Sequence, residues 1–374
     1  MGHGLRSALG WITIAAVVSA VSSYVFSLAL GILLVTIGPI AVQLQTKAFP
    51  VLLWAYALPI ITPRANSGLI IAGALAIYAV CFFKAARSNG GFVPSLRTMS
   101  NGSRPKALPN WLAIMPILAS GLLIIVLLLG LLQDLFGVST GSLPTGDPLG
   151  LLSSLAVAPI AEEIGFRITV LGLVTGILVA IRIGRNVAQG STSSILSQVG
   201  TFFSAFLSPG HAKERVGLLS IRTGGLKGIG ISEWIFLGIT SAVFGLYHIL
   251  GSGGWGPGKF LTAAISGFSL GVVFLAYGAF ANILLHWFFD FYFLDLPGLA
   301  GIFQVSGIVF TLGALALGVW SIVTAVSWLS NWNPKPTVPI SWSFDKPPPL
   351  SSQRSCALHA NPNQRSQHSL ARSP

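Results

Sequence analysis

Apolar residues in this chain come in long unbroken runs, not at the period of 3.6 or 2 that marks a half-buried helix or strand. The runs fall near 11–40, 66–83, 111–133, 149–181, 231–250, 260–279, 281–296 and 302–329. About 20 apolar residues in a helix cross the hydrocarbon core of a bilayer. The pattern therefore predicts an all-α fold, a polytopic transmembrane helical bundle of about eight spans. The run 11–40 has room for a tight hairpin. A shorter run, Phe49 to Ile61, contains Pro59 and is followed by Pro63. It is too short for a span and predicts a re-entrant or interfacial segment. No internal repeat at a fixed period is visible.

Composition closes off the soluble alternative. Residues are 53% apolar and only 8% charged, with a mean hydropathy of +0.79, against about 25% charged in soluble proteins. The net charge is +12, from 21 Lys and Arg against nine Asp and Glu. In a membrane protein such an excess marks cytoplasmic loops and contact with anionic lipid. No basic stretch is interleaved with base-stacking aromatics, so nucleic acid is not expected as a partner. Residues 84–110 carry Lys84, Arg87, Arg97, Arg104 and Lys106 and no acid; residues 182–230 carry Arg182, Arg185, Lys213, Arg215, Arg222 and Lys227 against Glu214 alone. Segment 134–148 has Asp134 and Asp147 and no cation. Placing both basic loops inside puts both termini in the cytoplasm. The tail's Lys335, Lys346, Arg354, Arg365 and Arg372 agree.

Three parts are expected. Residues 1–148 hold the N-terminal helices and a basic loop. Residues 149–330 hold the core, with a cytoplasmic loop at 182–230 whose Gly and Ser content predicts little regular structure. Residues 331–374, rich in Pro, Ser, Gln and Asn, predict a disordered cytoplasmic tail. Arg6 precedes an apolar run far longer than a signal-peptide core, which predicts a retained first span. Cys81 in an apolar run and Cys356 in the tail do not make a disulfide framework.

With nine acids in the chain, their placement is informative. Glu162 and Glu163 lie side by side in an apolar run, with Arg167 behind them. Each charge at a helix centre costs about 2.5–3.5 kcal/mol on insertion scales, so something must offset the three. Glu163 and Arg167 stand at i, i+4 with the acid first, the favourable order for an ion pair. Glu162 projects about 100° away and has no partner in its own helix. An unpaired intramembrane acid marks a functional site; a polar cluster that only fixes helix packing is the alternative for Glu163 and Arg167. Two of the six histidines also lie in apolar runs: His248, one turn after Phe244, and His286, one turn before Asp290. Such a set suits a base that activates water and donors that hold an oxyanion. The same groups suit a zinc ion with an open position.

Glu-Glu-x-x-x-Arg, Phe-x-x-x-His and His-x-x-x-Asn/Asp, in that order on separate apolar runs, resemble the CPBP intramembrane proteases. That family includes the type II CAAX prenyl endopeptidases and bacteriocin-processing or self-immunity proteins; the resemblance covers roughly residues 149–296. It implies that Glu162 activates water with help from His248, and that His286 and Asp290 hold the oxyanion. Glu163 and Arg167 would support the site and Phe244 would pack beside His248. It implies either a glutamate mechanism or a zinc ion on Glu162, His248, His286 and Asp290. The substrate would be a membrane-embedded or lipidated peptide or protein. The prenyl endopeptidases carry Asn where this chain has Asp290, although the broader family also takes Asp. No His-Glu-x-x-His and no Gly-x-Gly-Asp occurs in a span, which disfavours two other intramembrane protease classes. The competing class is a non-enzymatic membrane protein, such as a transporter, immunity or assembly factor, that uses the cluster for binding.

Overall fold

The computed structural model describes residues 3–100, 108–141, 148–190, 194–251, 255–292 and 318–319. All of these lie in one compact unit, Met1–Ser327; the tail 331–374 and nearly all of the run 302–329 are outside the described residues. The architecture is an all-α polytopic bundle with one β-hairpin. In chain order the elements are α1 (His3–Thr36), α2 (Gly38–Thr46), β1 (Ala48–Ala55), β2 (Leu58–Asn66), α3 (Ser67–Arg87), α4 (Phe92–Ser100), α5 (Trp111–Leu135) and α6 (Pro148–Glu163), followed by α7 (Val170–Ala188), α8 (Ile195–Leu207), α9 (Pro209–Arg215), α10 (Ile221–Gly224), α11 (Ile231–Leu250), α12 (Lys259–Tyr277) and α13 (Ala279–Tyr292).

Six helical segments among the described residues are long and apolar enough to cross a membrane: Thr13–Thr36, Ser67–Gly90, Trp111–Leu135, Ser153–Ala188, Ile231–Leu250 and Lys259–Tyr277. Their outward faces stay apolar, with Val25, Phe26, Val80, Phe83, Leu128 and Leu131 all exposed. A helix satisfies its own backbone, which is why it can present such a face to lipid. The seventh run becomes α13, whose 14 residues are shorter than a full span. Most of α13 is buried. The run 11–40 contains no hairpin: α1 is continuous to Thr36, and the chain breaks at Gly38 with Pro39 opening α2.

Two segments differ from expectation. The short run around Phe49–Ile61 pairs as an antiparallel hairpin, Ala55 opposite Leu58 and Ala48 opposite Asn66. Tyr56 and Ala57 both take positive φ, the two-residue turn whose twist suits a hairpin. Pairing satisfies the backbone of an apolar segment too short to span, and Pro59 and Pro63 sit on the outer strand, where a missing N–H is tolerated. The segment 182–230 is largely helical. α7 runs on to Ala188, Ser194 caps α8 by accepting from the Ser197 amide, and Ser220 and Thr223 form a capping box on α10. Lys213 is buried there. Its Nζ donates to Glu233 Oε2 at 2.6 Å and to the Gly228 carbonyl at 2.5 Å, while Thr175 Oγ1 donates to Glu233 Oε1 at 2.8 Å. That network ties α9 to α7 and α11, so the Gly and Ser content marks caps and turns rather than irregular chain.

The main core joins α1, α3, α5, α12 and α13 around Tyr24, Tyr78, Trp111, Trp287 and Phe288. Tyr78 stacks on Trp287 at 4.5 Å and its hydroxyl donates to the Ala156 carbonyl of α6 at 2.8 Å. Between α12 and α13 stands Gly278 at φ +91°, where a side chain would strike the Leu207 carbonyl. This single residue turns the chain back and aims α13 at α6, which brings the polar side chains together.

Candidate active site

The site begins where α6 ends. After Glu162 and Glu163 the helix widens into one π-helical turn, Ile164–Ile168, with the Thr169 amide donating to the Ile164 carbonyl at 3.0 Å. Such turns concentrate at functional sites because they re-aim side chains and loosen carbonyls. The loosened Gly165 carbonyl accepts from the Ala57 amide at 3.0 Å, and Thr169 Oγ1 accepts from the Tyr56 amide at 2.9 Å. The hairpin turn is thus docked on the wide turn. Trp54 of β1 covers it, in ring contact with Phe166 and Tyr247.

Glu163 is fully buried and fully engaged. Its Oε1 accepts from Arg167 Nη1 at 2.9 Å and from His286 Nδ1 at 2.7 Å, and its Oε2 accepts from Asn282 Nδ2. Arg167 also donates through Nη2 to the Gly267 carbonyl of α12 at 3.1 Å and lies over the Phe244 ring at 4.4 Å. A buried guanidinium with carboxylate, carbonyl and ring partners is well compensated. Glu163 and Arg167 therefore lock α6, α12 and α13 together.

Glu162 stands on the other side of that lock. Its Oε2 is buried without a hydrogen bond, and His286 Nε2 is 3.5 Å away. Asp290 Oδ1 lies 3.8 Å from the same nitrogen. His286 is therefore the hub, with Nδ1 on Glu163 and Nε2 facing Glu162 and Asp290. His248 comes in from α11 with its ring 4.7 Å from that of Phe244, and Nδ1 donates to the Phe244 carbonyl at 2.8 Å. Since a carbonyl only accepts, Nδ1 carries the proton of this bond. Phe244 also contacts His286, at 5.9 Å between centroids, and so bridges the two histidines.

Sequence reasoning missed Asn282 and the Gly267 carbonyl. Asn282, His286 and Asp290 form one i, i+4, i+8 stripe on α13, so a turn-spaced search upstream of His286 would have found the first. A backbone carbonyl leaves no signal in sequence. Among the described residues no group of three or more His, Cys, Asp or Glu is disposed to hold a metal ion. Nδ1 of each histidine is held by an acceptor, the Glu163 carboxylate and the Phe244 carbonyl, so a metal ion would be met through Nε2.

Residues 143–292 match the family model described as type II CAAX prenyl endopeptidase Rce1-like. No curated protein and no solved structure matches the chain.

Proposed function

We propose, for a chain whose residues 143–292 form a domain of the CPBP intramembrane protease family, that Glu162 is the base of a peptide hydrolysis carried out inside the membrane. Family membership supports CAAX-type intramembrane protease activity in general; the roles below are our assignment. The observation that carries them is the contrast between the adjacent acids. Glu163 gives its oxygens to Arg167, His286 and Asn282, while Glu162 keeps Oε2 without a hydrogen bond beside His286.

In this reading Glu162 removes a proton from water, and the resulting hydroxide attacks the scissile carbonyl. His248, beside Phe244, helps to orient that water. Negative charge on the carbonyl oxygen is met by donors on α13. His286, with Nδ1 on the Glu163 carboxylate, presents Nε2–H as an imidazolium, and Asp290 donates as the neutral acid. When the tetrahedral species collapses, the C–N bond breaks and Glu162 returns its proton to the leaving amine. Preorganised donors of this kind are among the largest contributions to catalysis, and the Glu163–Arg167 lock holds them in place.

The substrate is a membrane-associated peptide or protein, lipidated in keeping with the family. Anionic lipid would meet the basic loops. A peptidase assay on purified protein in detergent, with matched lipidated and unlipidated peptides, tests the reading beside a Glu162→Ala control. Cleavage abolished in the control supports it. Peptide binding without hydrolysis by folded wild-type protein would replace it with a binding function for the same cluster.

A further inference from the structure

Glu163 has a partner that its ion pair does not require. Asn282 stands in the first turn of α13, where its backbone amide donates to the Gly278 carbonyl at 3.3 Å. Asn282 is fully buried. Its Nδ2 donates to Glu163 Oε2, while its own Oδ1 is buried without a hydrogen bond among the described residues. A carboxylate only accepts, so the amide must turn its nitrogen to Glu163 and leave its oxygen behind.

Packing does not explain an asparagine here. The neighbouring Ala281, Ile283, Leu284 and Leu285 are apolar and buried, and an unpaired amide oxygen in such surroundings is unfavourable. A leucine would avoid that cost. Charge balance does not explain it either, since Arg167 Nη1 already lies 2.9 Å from Glu163 Oε1. What the amide adds is a hold on the second oxygen of Glu163. Arg167 and His286 both converge on Oε1, at 2.9 and 2.7 Å, and a carboxylate held at one oxygen can still turn about it. Asn282 and His286 are one turn apart on one face of α13, so together they grip both oxygens and fix the carboxylate plane. The far side of the imidazole then stands in register, with Nε2 3.5 Å from Glu162 Oε2 and 3.8 Å from Asp290 Oδ1.

We infer that Asn282 is a positioning residue: with His286 it clamps the Glu163 carboxylate by its two oxygens and so aims His286 Nε2 at Glu162 and Asp290. The inference rests on the protease reading and adds a residue to it. Without the amide, Glu163 keeps its counter-charge but is free to rotate, and the oxyanion donor on His286 is displaced rather than removed.

Two substitutions test this. Asn282→Leu removes both polar atoms. Asn282→Asp keeps the shape and donates only as the neutral acid, because an ionised carboxyl has no proton to give. The rate constants kcat and KM for a lipidated peptide are measured across pH and taken as ratios to wild type at the same pH. Glu162, Glu163, Arg167, His286 and Asp290 are present in both proteins, so the ratio isolates the new carboxyl. Nitrogen NMR of histidine-labelled protein in detergent, with His286→Gln to identify the signal, reports the His286 ring directly.

Asn282→Leu should lower kcat about tenfold to a hundredfold, leave KM near wild type and move the His286 ring signals. Asn282→Asp should approach wild-type kcat at the acid end of the range and fall to the level of Asn282→Leu at the alkaline end. An asparagine that served stability alone would lower yield and melting temperature without moving the ring signals of the folded protein. Wild-type kcat or unmoved ring signals in folded Asn282→Leu overturn the inference, as does an Asn282→Asp protein that recovers at no pH. Where Asn282→Leu does not fold, Asn282→Asp decides alone: a ratio that rises as pH falls supports the clamp, and one independent of pH overturns it. The two readings fail separately. Ring signals that move in Asn282→Leu when folded wild type cleaves nothing retain the clamp and remove hydrolysis; cleavage insensitive to Asn282→Leu does the reverse.

Discussion

Because Glu163 is satisfied on both oxygens and Glu162 is not, the two acids should respond differently to the same substitution. Glu162→Gln keeps shape and removes the base, so turnover should fall about 10²- to 10⁴-fold while yield and thermal stability in detergent stay near wild type. Glu163→Gln leaves Arg167 without its counter-charge. Breaking one side of a buried pair costs about 3–5 kcal/mol, so this variant should lose folded protein first. Equal loss of stability in both would remove the division of roles. Asp290 divides in another way. Asn presents a donor of similar size, so Asp290→Asn should keep most activity, and Asp290→Ala should lose on the order of 10²-fold, the cost of one oxyanion donor. Metal content measured on the same samples makes the comparison decisive. A folded Asp290→Asn protein that is inactive and has lost bound metal would assign Asp290 to a metal instead.

The hairpin β1–β2 lies outside the segment matched to the family, yet it supplies the two amides and the indole that close over the π-helical turn. Gly165 is the point of contact: a side chain there would overlap the Cβ of Trp54. Gly165→Ala should therefore push the hairpin off and lower both melting temperature and activity. Gly130→Ala on α5, where the added methyl meets nothing within 4 Å, should be neutral or raise stability by up to about 1 kcal/mol. Matching melting temperatures for the two variants would show that the hairpin contact carries no weight. The same element shows what sequence could and could not reveal. Long apolar runs identify α3, α5, α11 and α12 because a membrane-spanning helix needs little beyond length and hydrophobicity. A hairpin carrying Pro50, Pro59 and Pro63 reads poorly as strand, since its stability comes from docking on α6 rather than from its own pattern. For the candidate site, the i, i+4 spacing made Glu163 with Arg167 legible as a pair. The approach of His286 to both glutamates was not, because it depends on the turn at Gly278 and on a sequence separation of 123 residues or more.

The two ends of α12 carry separate sets of polar contacts. At one end Arg222 Nη1 donates to Asn89 Oδ1 at 2.8 Å, Asn89 Nδ2 to the Pro109 carbonyl at 3.1 Å, and Tyr277 Oη to the same carbonyl at 3.3 Å. These bonds gather the two basic segments, 84–110 and 182–230, around the α12–α13 turn. At the other end the backbone of Ser139 and Thr140 meets Gly256 and Gly258 beside Lys259. Cations resist translocation, so the basic end should face the cytoplasm and the Lys259 end the external side. His248, two residues from the end of α11, and Lys259, the first residue of α12, then place the mouth of the site toward the external leaflet. Single cysteines at Ser139 and at Thr98, with Cys81 and Cys356 replaced, can be challenged in intact cells with a membrane-impermeant thiol reagent. Labelling at position 139 and protection at position 98 are the expected result. The opposite pattern would invert the bundle, put the mouth at the cytoplasmic face, and make substrates anchored there by a C-terminal lipid the ones that reach Glu162 directly.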